Sequence, residues 1–322
     1  MAIKKQQHYV WENYLNAWKY NEKHLFCFRK KNNKIFPSSP NDVGKQDRFY
    51  KIDSLSELEL KFLGDAFIKS ITNEHMKEAA NGWVNVFKMV FAMFQFAEGK
   101  ESPRIKEGIH EIMNNFMEDI HTKIELQAIP LLKELQLGRT AFFDNEENMS
   151  DFMLFLCMQY FRTNKLKQNY LKVVAEISEK LPNEWSNIDL SKIWNILTVV
   201  FATNMGATLY ALRENYDWCI INNSTETPFI TIDQPVVNLK GNYELEQSTE
   251  ELELFYPLSP KLALLISEKK NGNSNKIDIT NSEYIEMYNE RLLIIAEEQV
   301  YSNSKQYMEE IKIKYSKINC NG

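Results

Sequence analysis

The chain has 322 residues and a net charge of −6, and it contains only 10 Gly and 9 Pro. These two turn-forming types make up about 6% of the residues, against roughly 12% in an average globular protein. This shortage excludes a many-stranded sandwich, barrel or propeller, which needs a turn every ~8–12 residues, and it favours long helices. The apolar content of 44% excludes a disordered or fibrous chain.

Residues 1–53 form a first zone in which the pattern predicts a β-hairpin. Two short apolar runs, Leu25–Phe28 and Ile35–Phe36, flank a polar segment that contains Asn32 and Asn33. Asparagine tolerates the positive φ of a tight turn, so the two runs are expected to pair as antiparallel strands.

Residues 54–214 form a second zone, which is predicted to be helical and holds three of the nine prolines. Apolar residues recur there at intervals of three and four, as the buried face of a helix requires. Ser102 and Pro103 are a typical helix start, a capping residue followed by proline at the first helical position. The other predicted helices begin at Asp53 or Ser54, cover Trp83 to Ala97, begin at Asp151, and cover Leu190 to Leu212.

Residues 215–322 form a third zone of short strand patterns, such as Trp218–Ile221 and Phe229–Ile232, with a helix over about Ser282 to Glu297. Because a lone hairpin is marginally stable in water, we expect zones 1–53 and 215–322 to form one sheet. The predicted fold is therefore α+β and helix-dominant. An N-terminal hairpin joins a small antiparallel or mixed C-terminal sheet, and the helical region 54–214 is an insertion into a single domain, 1–322.

The charge is distributed unevenly along the chain. Residues 1–34 carry eight Lys or Arg against two Glu, a net charge of +6, so residues 35–322 sum to −12. A basic surface on an acidic body can still meet a polyanion, and we expect nucleic acid to contact residues 1–34. The alternative is that these lysines form a solvated rim, as most surface charges do.

The cysteines and the apolar segments indicate the cellular compartment of the protein. The four cysteines are far apart without a Cys-x-x-Cys pair, and the N-terminus lacks the apolar stretch of a signal peptide, so we expect a reducing compartment. The most apolar predicted helix, Trp83 to Ala97, contains Lys88 and is shorter than the ~20 residues that span a bilayer. We therefore expect a cytoplasmic protein without a membrane partner. The oligomeric state is left open.

The sequence lacks the GxxxxGK[ST], GxGxxG, HExxH and GxSxG motifs. P-loop NTPases, simple Rossmann enzymes, zincins and α/β-hydrolases are therefore excluded as leading interpretations. Two Glu-x-x-His pairs have the spacing of carboxylate-bridged metal ligands, but we expect them on a solvated flank of their helix. These pairs are Glu107/His110 and Glu118/His121.

Asp233, Glu268 and Lys270 follow the order found in metal-dependent nucleases, an acid at a strand end and then Glu-x-Lys. The carboxylates of such a set hold a divalent cation, and the lysine positions the attacking water. A divalent metal such as Mg²⁺ is therefore open as a cofactor. The alternative is a polar hairpin end, because Glu-x-Lys also occurs elsewhere in the chain.

Two segments carry a resemblance to one family. Gln7–Leu15 (Gln-His-Tyr-Val-x-x-x-Tyr-Leu) resembles the His-Tyr-Val-Pro-x-x-Tyr/Phe-Leu opening of DUF4238, a domain-of-unknown-function family. Pro228–Val236 is similar to the family's Phe-Ile-Thr-Ser-Asp-Asn-Pro-Val, although Ile232 and Gln234 replace Ser and Asn, and Trp11 replaces the proline of the opening. The resemblance implies a bacterial or phage protein, in some members with a mobile or defence-like setting, and no settled activity.

Three residues are the candidate catalytic groups. His8 is the only side chain of the opening motif that titrates near neutrality, so it can act as a general base or a ligand. Arg162 lies on an apolar helix face, where its charge demands an anion. Asp233 lies at a strand end, where it can hold a metal or orient a histidine. The candidate substrate-binding residues are Tyr14, Gln159, Lys30 and Lys31.

Each candidate also has a purely structural interpretation. His8 can cap the first strand or helix, Arg162 can form a core salt bridge, and Asp233 can close an Asx-turn. Three functions remain open, of which the third is a small-ligand sensor with its pocket between the helices and the sheet. The first is a phosphodiester-cleaving hydrolase, a nuclease acting as a defence or toxin effector. The second is a non-enzymatic binding or regulatory module in which His8, Arg162 and Asp233 form a structural polar network.

Overall fold

The computed structural model describes residues 3–99, 102–178, 180–185, 187–241, 251–269 and 275–320, apart from the side chains of 318–320. Within these ranges the fold is α+β with helices dominant, as predicted. A helical region packs against small β-sheets, and two further helices cover the opposite side of those sheets.

The N-terminal zone contains two strand pairs. Strand β1 (Gln6–His8) pairs in antiparallel fashion with β4 (Lys45–Asp47), and the short helix α1 (Glu12–Leu15) follows β1. The predicted hairpin is present as β2 (Leu25–Arg29) and β3 (Lys34–Ser38). Its turn is a four-residue connection in which Asn33 has the expected positive φ of 51°.

Six helices fill the described part of the middle zone. The start at Ser102 and Pro103 is confirmed, but two predicted caps are wrong. Ser56, not Asp53 or Ser54, begins the first of these helices, because its side chain and that of Glu59 form a reciprocal capping box. Asn145, not Asp151, caps the fourth. The helices are α2 (Glu57–Phe62), α3 (Glu74–Glu98), α4 (Pro103–Gln136), α5 (Glu146–Phe161), α6 (Asn164–Ser178) and α7 (Trp194–Ala211).

Helices α5 and α7 form the centre of the helical region, because each is apolar on nearly all sides and packs against the other. Helices α3 and α4 flank this pair. In the described part of the chain, Leu190–Ala211 alone is long and apolar enough to cross a membrane, and 61% of its most apolar window is buried inside the protein. This burial is typical of a core helix in a soluble protein.

The C-terminal strands form two sheets where one was expected. The hairpin does join C-terminal strands, giving the antiparallel order β3-β2-β11-β6, but the other strands form a separate mixed sheet of order β10-β5-β9-β8-β7. The division arises because the hairpin pairs with β11, after helix α8, and not with the β5–β9 ladder. The elements are β5 (Tyr216–Asn223), β6 (Thr231–Ile232), β7 (Val237–Asn238), β8 (Glu253–Ser259), β9 (Leu262–Glu268), β10 (Lys276–Ile279), α8 (Ser282–Ile295), β11 (Gln299–Ser302) and α9 (Lys305–Cys320).

Both larger sheets separate two apolar cores. Neighbouring strand residues point to opposite faces, so Tyr256 packs in the core shared with the helical region while Phe255 packs in the core covered by α8 and α9. Cys27 and Phe28 divide between the two cores in the same way. The site described below lies on the helical side, between the N-terminal segment, α4 and α5.

Candidate active site

Helix α4 presents three polar side chains on one face towards α5. Glu118, His121 and Glu125 are spaced by three and four residues, the spacing that places side chains in one row along a helix. Arg162, the C-cap residue of α5, meets this row. The prediction that Glu118 and His121 lie on a solvated flank is wrong, because His121 is only 2% exposed.

Gln7 fixes the N-terminal segment against α4. Its buried amide donates from Nε2 to the carbonyl of Asn114 at 2.7 Å and accepts at Oε1 from the backbone N–H of Tyr50, also at 2.7 Å. The hydroxyl of Tyr50 in turn donates to the carbonyl of His8 at 3.1 Å. These bonds hold His8 beside the α4 row without using its imidazole.

These elements enclose a cavity of about 170 Å³, which we call the small cavity. His8, Trp11 and the exposed Glu12 form its outer part, whereas the α4 row and Arg162 are more deeply buried. Two of the three predicted catalytic residues, His8 and Arg162, therefore meet in one place. The lining residues are His8, Trp11, Glu12, Glu118, His121, Glu125 and Arg162.

Arg162 is bound by a core carboxylate and still has an unused donor. Its Nη1 lies 2.5 Å from Oε1 of Glu125, and its Nη2 donates to Oε1 of Gln159 at 3.0 Å. Although burial lowers the pKa of Arg162, the Glu125 carboxylate outweighs that effect and raises it, so the guanidinium stays charged. Its Nε–H is buried without a hydrogen-bond partner in the described part of the chain. A buried donor of this kind is costly unless a ligand engages it.

Burial shifts the pKa values of Glu118 and His8 in opposite directions. Burial raises the pKa of Glu118 to about 7, against the opposing charge of Arg162. Burial lowers the pKa of His8 below 6.5, although its bond to the carbonyl of Asn41 acts in the other direction. At pH 7 a large fraction of Glu118 is thus protonated while His8 is mostly neutral. Such a pair can donate one proton and accept another.

The hydrogen bond of His8 defines which ring nitrogen can accept a proton. Nε2 lies 3.2 Å from the carbonyl oxygen of Asn41. A carbonyl only accepts, so Nε2 carries the hydrogen and donates it. The lone pair of the neutral ring therefore lies on Nδ1.

His121 is a second imidazole of the small cavity. Burial and the charge of Arg162 hold its pKa well below 6.5, so the ring is neutral. Its ring centroid lies 4.4 Å from that of Tyr50, and neither ring nitrogen has a hydrogen-bond partner among the described residues. Like Nε of Arg162, these nitrogens are polar groups that the fold leaves for a ligand or water.

The third predicted catalytic residue lies elsewhere. Asp233 is 2% exposed and does not line the small cavity. Its carboxylate accepts the backbone N–H groups of Glu297, Glu298 and Gln299 at 2.9, 2.5 and 2.9 Å, just before and at the start of β11. Burial raises the pKa of Asp233 to about 6, and these donors oppose the rise.

The predicted lysines also lie away from the small cavity. The ammonium group of Lys30 donates to the carbonyl of Ala296 at 2.5 Å, in the turn that Asp233 holds, and burial lowers its pKa to about 8. Lys31 is exposed on the turn after β2. Lys30 and Asp233 thus bind the same connection between α8 and β11.

Neither Tyr14 nor Gln159 lines the small cavity. The Tyr14 hydroxyl donates to the carbonyl of Pro257 and pairs with the Thr231 hydroxyl, both at 2.7 Å. Gln159 is 1% exposed and accepts from Arg162. Tyr14 contributes its ring to a second cavity of about 400 Å³, which we call the large cavity.

Among the described residues, no group of three or more His, Cys, Asp or Glu side chains is arranged to hold a metal ion. Of the Asp233, Glu268 and Lys270 set, Asp233 follows β6 in one sheet and Glu268 ends β9 in the other, while Lys270 lies outside the described residues. In the other Glu-x-x-His pair, Glu107/His110, the imidazole of His110 lies near the protein surface, 3.7 Å from the carboxylate of Glu98.

The predicted active-site set omits five residues that line the small cavity: Trp11, Glu12, Glu118, His121 and Glu125. The Glu118/His121 spacing is visible in the sequence, but Ile105, Ile109 and their helical neighbours predict an apolar stripe on another face of the helix. The face of α4 that is buried in the structure is rotated from that stripe, because α4 packs between α3 and α5. This buried face comprises Met113, Met117, His121, Ile124, Ala128, Leu131, Leu132 and Leu135.

Comparison with known families confirms the resemblance carried by the opening motif. The sequence matches the model of a family described as protein of unknown function, DUF4238, over residues 6–306. The chain belongs to the DUF4238 family. No match was found among curated proteins or among solved structures. The range matched to DUF4238 includes every residue of the small cavity and of the large one.

The opening DUF4238 segment contributes to both cavities. His8 and Trp11 line the small cavity, and Trp11 and Tyr14 line the large one. The second DUF4238 segment, Pro228–Val236, contains Asp233 and holds the turn before β11. In this chain, the first segment therefore builds the candidate site and the second builds the framework.

Proposed function

We propose that this protein cleaves phosphodiester bonds in RNA by acid–base chemistry in the small cavity. One observation carries the proposal: His8, Glu118 and Arg162 line a single cavity. A neutral imidazole, a carboxyl group with a pKa of about 7 and a buried guanidinium supply a base, an acid and an anion-binding group.

The proposed step balances without a redox partner. His8 takes the proton of the ribose 2′-hydroxyl, the 2′-oxygen attacks phosphorus, and the bond from phosphorus to the 5′-oxygen breaks. Glu118 gives its proton to the leaving 5′-oxygen. Arg162 binds the non-bridging oxygens, whose charge grows in the transition state. The products are a 2′,3′-cyclic phosphate and a 5′-hydroxyl end.

RNA fits this set of groups because it brings its own nucleophile, the 2′-hydroxyl, which the base only has to deprotonate. The basic surface of residues 1–34 is the proposed contact for the remaining phosphates. Lys31 and Lys34 are exposed there, and Arg29 and Lys34 line an open groove with Lys312. The biological role that we propose is a defence or toxin effector, the setting that the family resemblance implies.

The test uses purified protein with single-stranded RNA and DNA, in EDTA and with Mg²⁺ or Mn²⁺. We expect RNA cleavage that His8→Ala abolishes. His75→Ala is the matched control, because its side chain on α3 is 97% exposed. Intact RNA under every metal condition, or full cleavage by His8→Ala, would contradict the proposal. Cleavage of DNA alone would contradict the role of the 2′-hydroxyl.

The second candidate function is a binding or regulatory module without catalysis. The Arg162–Glu125 ion pair and the three N–H bonds to Asp233 favour it, since both are interactions that a core uses for structure. Under this alternative, RNA is bound but not cut. Arg162→Ala cannot decide between the two, because it leaves the buried Glu125 unpaired and costs ~3–5 kcal/mol of stability.

We also propose a cytoplasmic location. Cys27, Cys157 and Cys219 are buried free thiols, and burial raises the pKa of each. Free, unreactive thiols are typical of proteins in a reducing compartment. Fractionation of cells that express the tagged chain tests this location, and recovery in a membrane or secreted fraction would contradict it.

A further inference from the structure

The large cavity, of about 400 Å³, lies between α1, α4 and β8. Its size is within the ~300–1,000 Å³ of ordinary small-molecule sites. Leu132 and Leu258 give it a buried apolar surface, and Trp11 adds an aromatic ring. Asn13 and Gln136 bring side-chain amides to the same cavity.

The two cavities are neighbours along α4. Trp11 lines both of them. Glu125 is the last α4 residue of the small cavity, and Ile129, four residues later, is the first of the large cavity. Four residues are about one helical turn, with a pitch of ~5.4 Å. The two cavities therefore lie about one helical turn apart on the same face of α4.

The lining of the large cavity suits a flat ring with hydrogen-bonding edges. Apolar and indole surfaces stack on the faces of bases, and Asn and Gln amides read their edges, with adenine as the usual partner. Gln136 donates to the carbonyl of Leu258 at 3.5 Å, a long bond that a ligand can replace. Tyr14 offers only its ring, because its hydroxyl is already bonded.

We infer that the large cavity binds the base of the nucleotide beside the scissile phosphate and selects adenine. The inference rests on the proposed RNA cleavage, and it names the substrate preference of that site. The phosphate lies at Arg162, the ribose passes Trp11, and the adenine ring lies between Leu132 and Leu258 with its edge towards Gln136 and Asn13.

Calorimetry with adenosine monophosphate and cytidine monophosphate tests binding without requiring cleavage. We expect the adenine nucleotide to bind about tenfold more tightly, the size of one well-made edge contact. Gln136→Leu keeps the side-chain volume but removes the amide, and we expect it to abolish this preference. Gln127→Leu is the matched control, because Gln127 lies on an exposed part of the same helix.

A parallel cleavage assay separates this inference from the proposed function. The wild-type protein is incubated with single-stranded RNAs that differ only in one adenine or cytosine. We expect cleavage to be about tenfold faster at adenine. If RNA is cut but neither binding nor cleavage prefers adenine, the base site is wrong while the proposed function stands. If adenosine monophosphate binds selectively but RNA stays intact, the base site stands and the proposed function is wrong.

Discussion

His8 and Glu118 must be in opposite protonation states for the proposed cleavage, one as base and the other as acid. As pH falls below the pKa of His8, which lies below 6.5, the base becomes protonated and the rate falls. As pH rises above about 7, the acid Glu118 loses its proton and the rate falls again. We therefore expect a bell-shaped pH–rate profile with its maximum between these values.

Glu118→Gln tests the assignment of the alkaline limb. The amide cannot donate a proton, so we expect a ~10²–10⁴-fold lower rate and a profile without the fall above pH 7. Glu78→Gln is the matched control, since this side chain on α3 is 81% exposed. A Glu118→Gln enzyme with a normal rate, or one that retains the alkaline limb, would show that another group is the acid.

Asp233 is predicted to matter for stability rather than for the chemical step. Asp233→Asn places an NH₂ group among three backbone N–H donors, and at least one buried donor then loses its acceptor. We expect a loss of ~1–3 kcal/mol in the free energy of unfolding, measured with urea. The cleavage rate of the folded variant should be nearly unchanged.

Asp47→Asn is the control for Asp233→Asn, because Asp47 is exposed at the end of β4. If Asp233→Asn abolishes cleavage while its unfolding curve matches that of the wild type, Asp233 belongs to the active site after all.

Two predicted catalytic residues meet in the structure because of contacts that the sequence order does not show. His8 was recognisable as a titratable group in a family motif, and Arg162 as a charge on an apolar helix. Their common neighbours Glu118 and Glu125 were not selected, because the rotation of α4 is set by its packing between α3 and α5. The partner of Arg162 likewise required the fold, since the sequence predicts a core salt bridge but no local pattern marks Glu125 as its carboxylate.

The strand pair β1–β4 positions His8 through Gly44. Gly44 has a φ of +62°, and its carbonyl accepts the N–H groups of Tyr9 and Val10 at 2.9 and 3.0 Å. A Cβ atom at this position would lie 2.7 Å from the Cβ of Val10. Gly44→Ala therefore moves the segment that carries His8.

We expect Gly44→Ala to cost ~2–5 kcal/mol, because the left-handed backbone contributes ~1–2 and the overpacking ~1–3 kcal/mol. Thermal unfolding and the cleavage rate are the measurements, and both should decline. Gly138→Ala separates the two causes, since Gly138 has a φ of +68° with open space around its Cβ position. Equal losses in both variants would contradict the role of the Val10 contact.

Local signals predicted the existence of most elements better than their ends. The hairpin and the Ser102–Pro103 helix start were predictable because each depends on neighbouring residues. The start of α2 was not, since several capping residues follow one another and the pairing of Ser56 with Glu59 selects one of them. Helices α6 and α9 were missed because their residues are mostly polar, although the apolar residues of α6 recur at helical spacing.

The uneven charge of the whole molecule leads to a prediction about RNA binding. Lys31 and Lys34 are exposed within the basic segment 1–34, whereas Lys30 is bound to the carbonyl of Ala296. If both exposed lysines contact phosphates, Lys31→Gln with Lys34→Gln lowers the slope of log K against log salt by about 1.4, or ~0.7 for each contact. Fluorescence anisotropy with labelled RNA at several salt concentrations measures this slope.

The control for the salt experiment is Lys88→Gln with Lys123→Gln, two exposed lysines in the helical region. We expect this pair to leave the slope unchanged. A change of the same size in both double variants would indicate a general charge effect, and residues 1–34 would then not be the RNA contact.

At the scale of the whole chain, composition predicted the fold class but not the division of the strands. Few glycines and prolines indicated a helical protein. The change from helical to strand-like spacing of the apolar residues after residue 214 located the strands. The two sheets were not separable from sequence, because the partner of the hairpin is β11, some 270 residues away, and not the nearer strand patterns. Such long-range pairing leaves no local trace in the sequence.

The most direct test of the proposed acid–base site is the chemistry of the RNA ends that it produces. Wild-type protein, His8→Ala and His75→Ala are incubated with one single-stranded RNA in EDTA at pH 6.5, and the products are analysed by mass spectrometry. We expect 2′,3′-cyclic phosphate and 5′-hydroxyl ends from the wild type and from His75→Ala, and intact RNA with His8→Ala. Ends with a 5′-phosphate, or equal cleavage by all three proteins, would contradict the proposed mechanism.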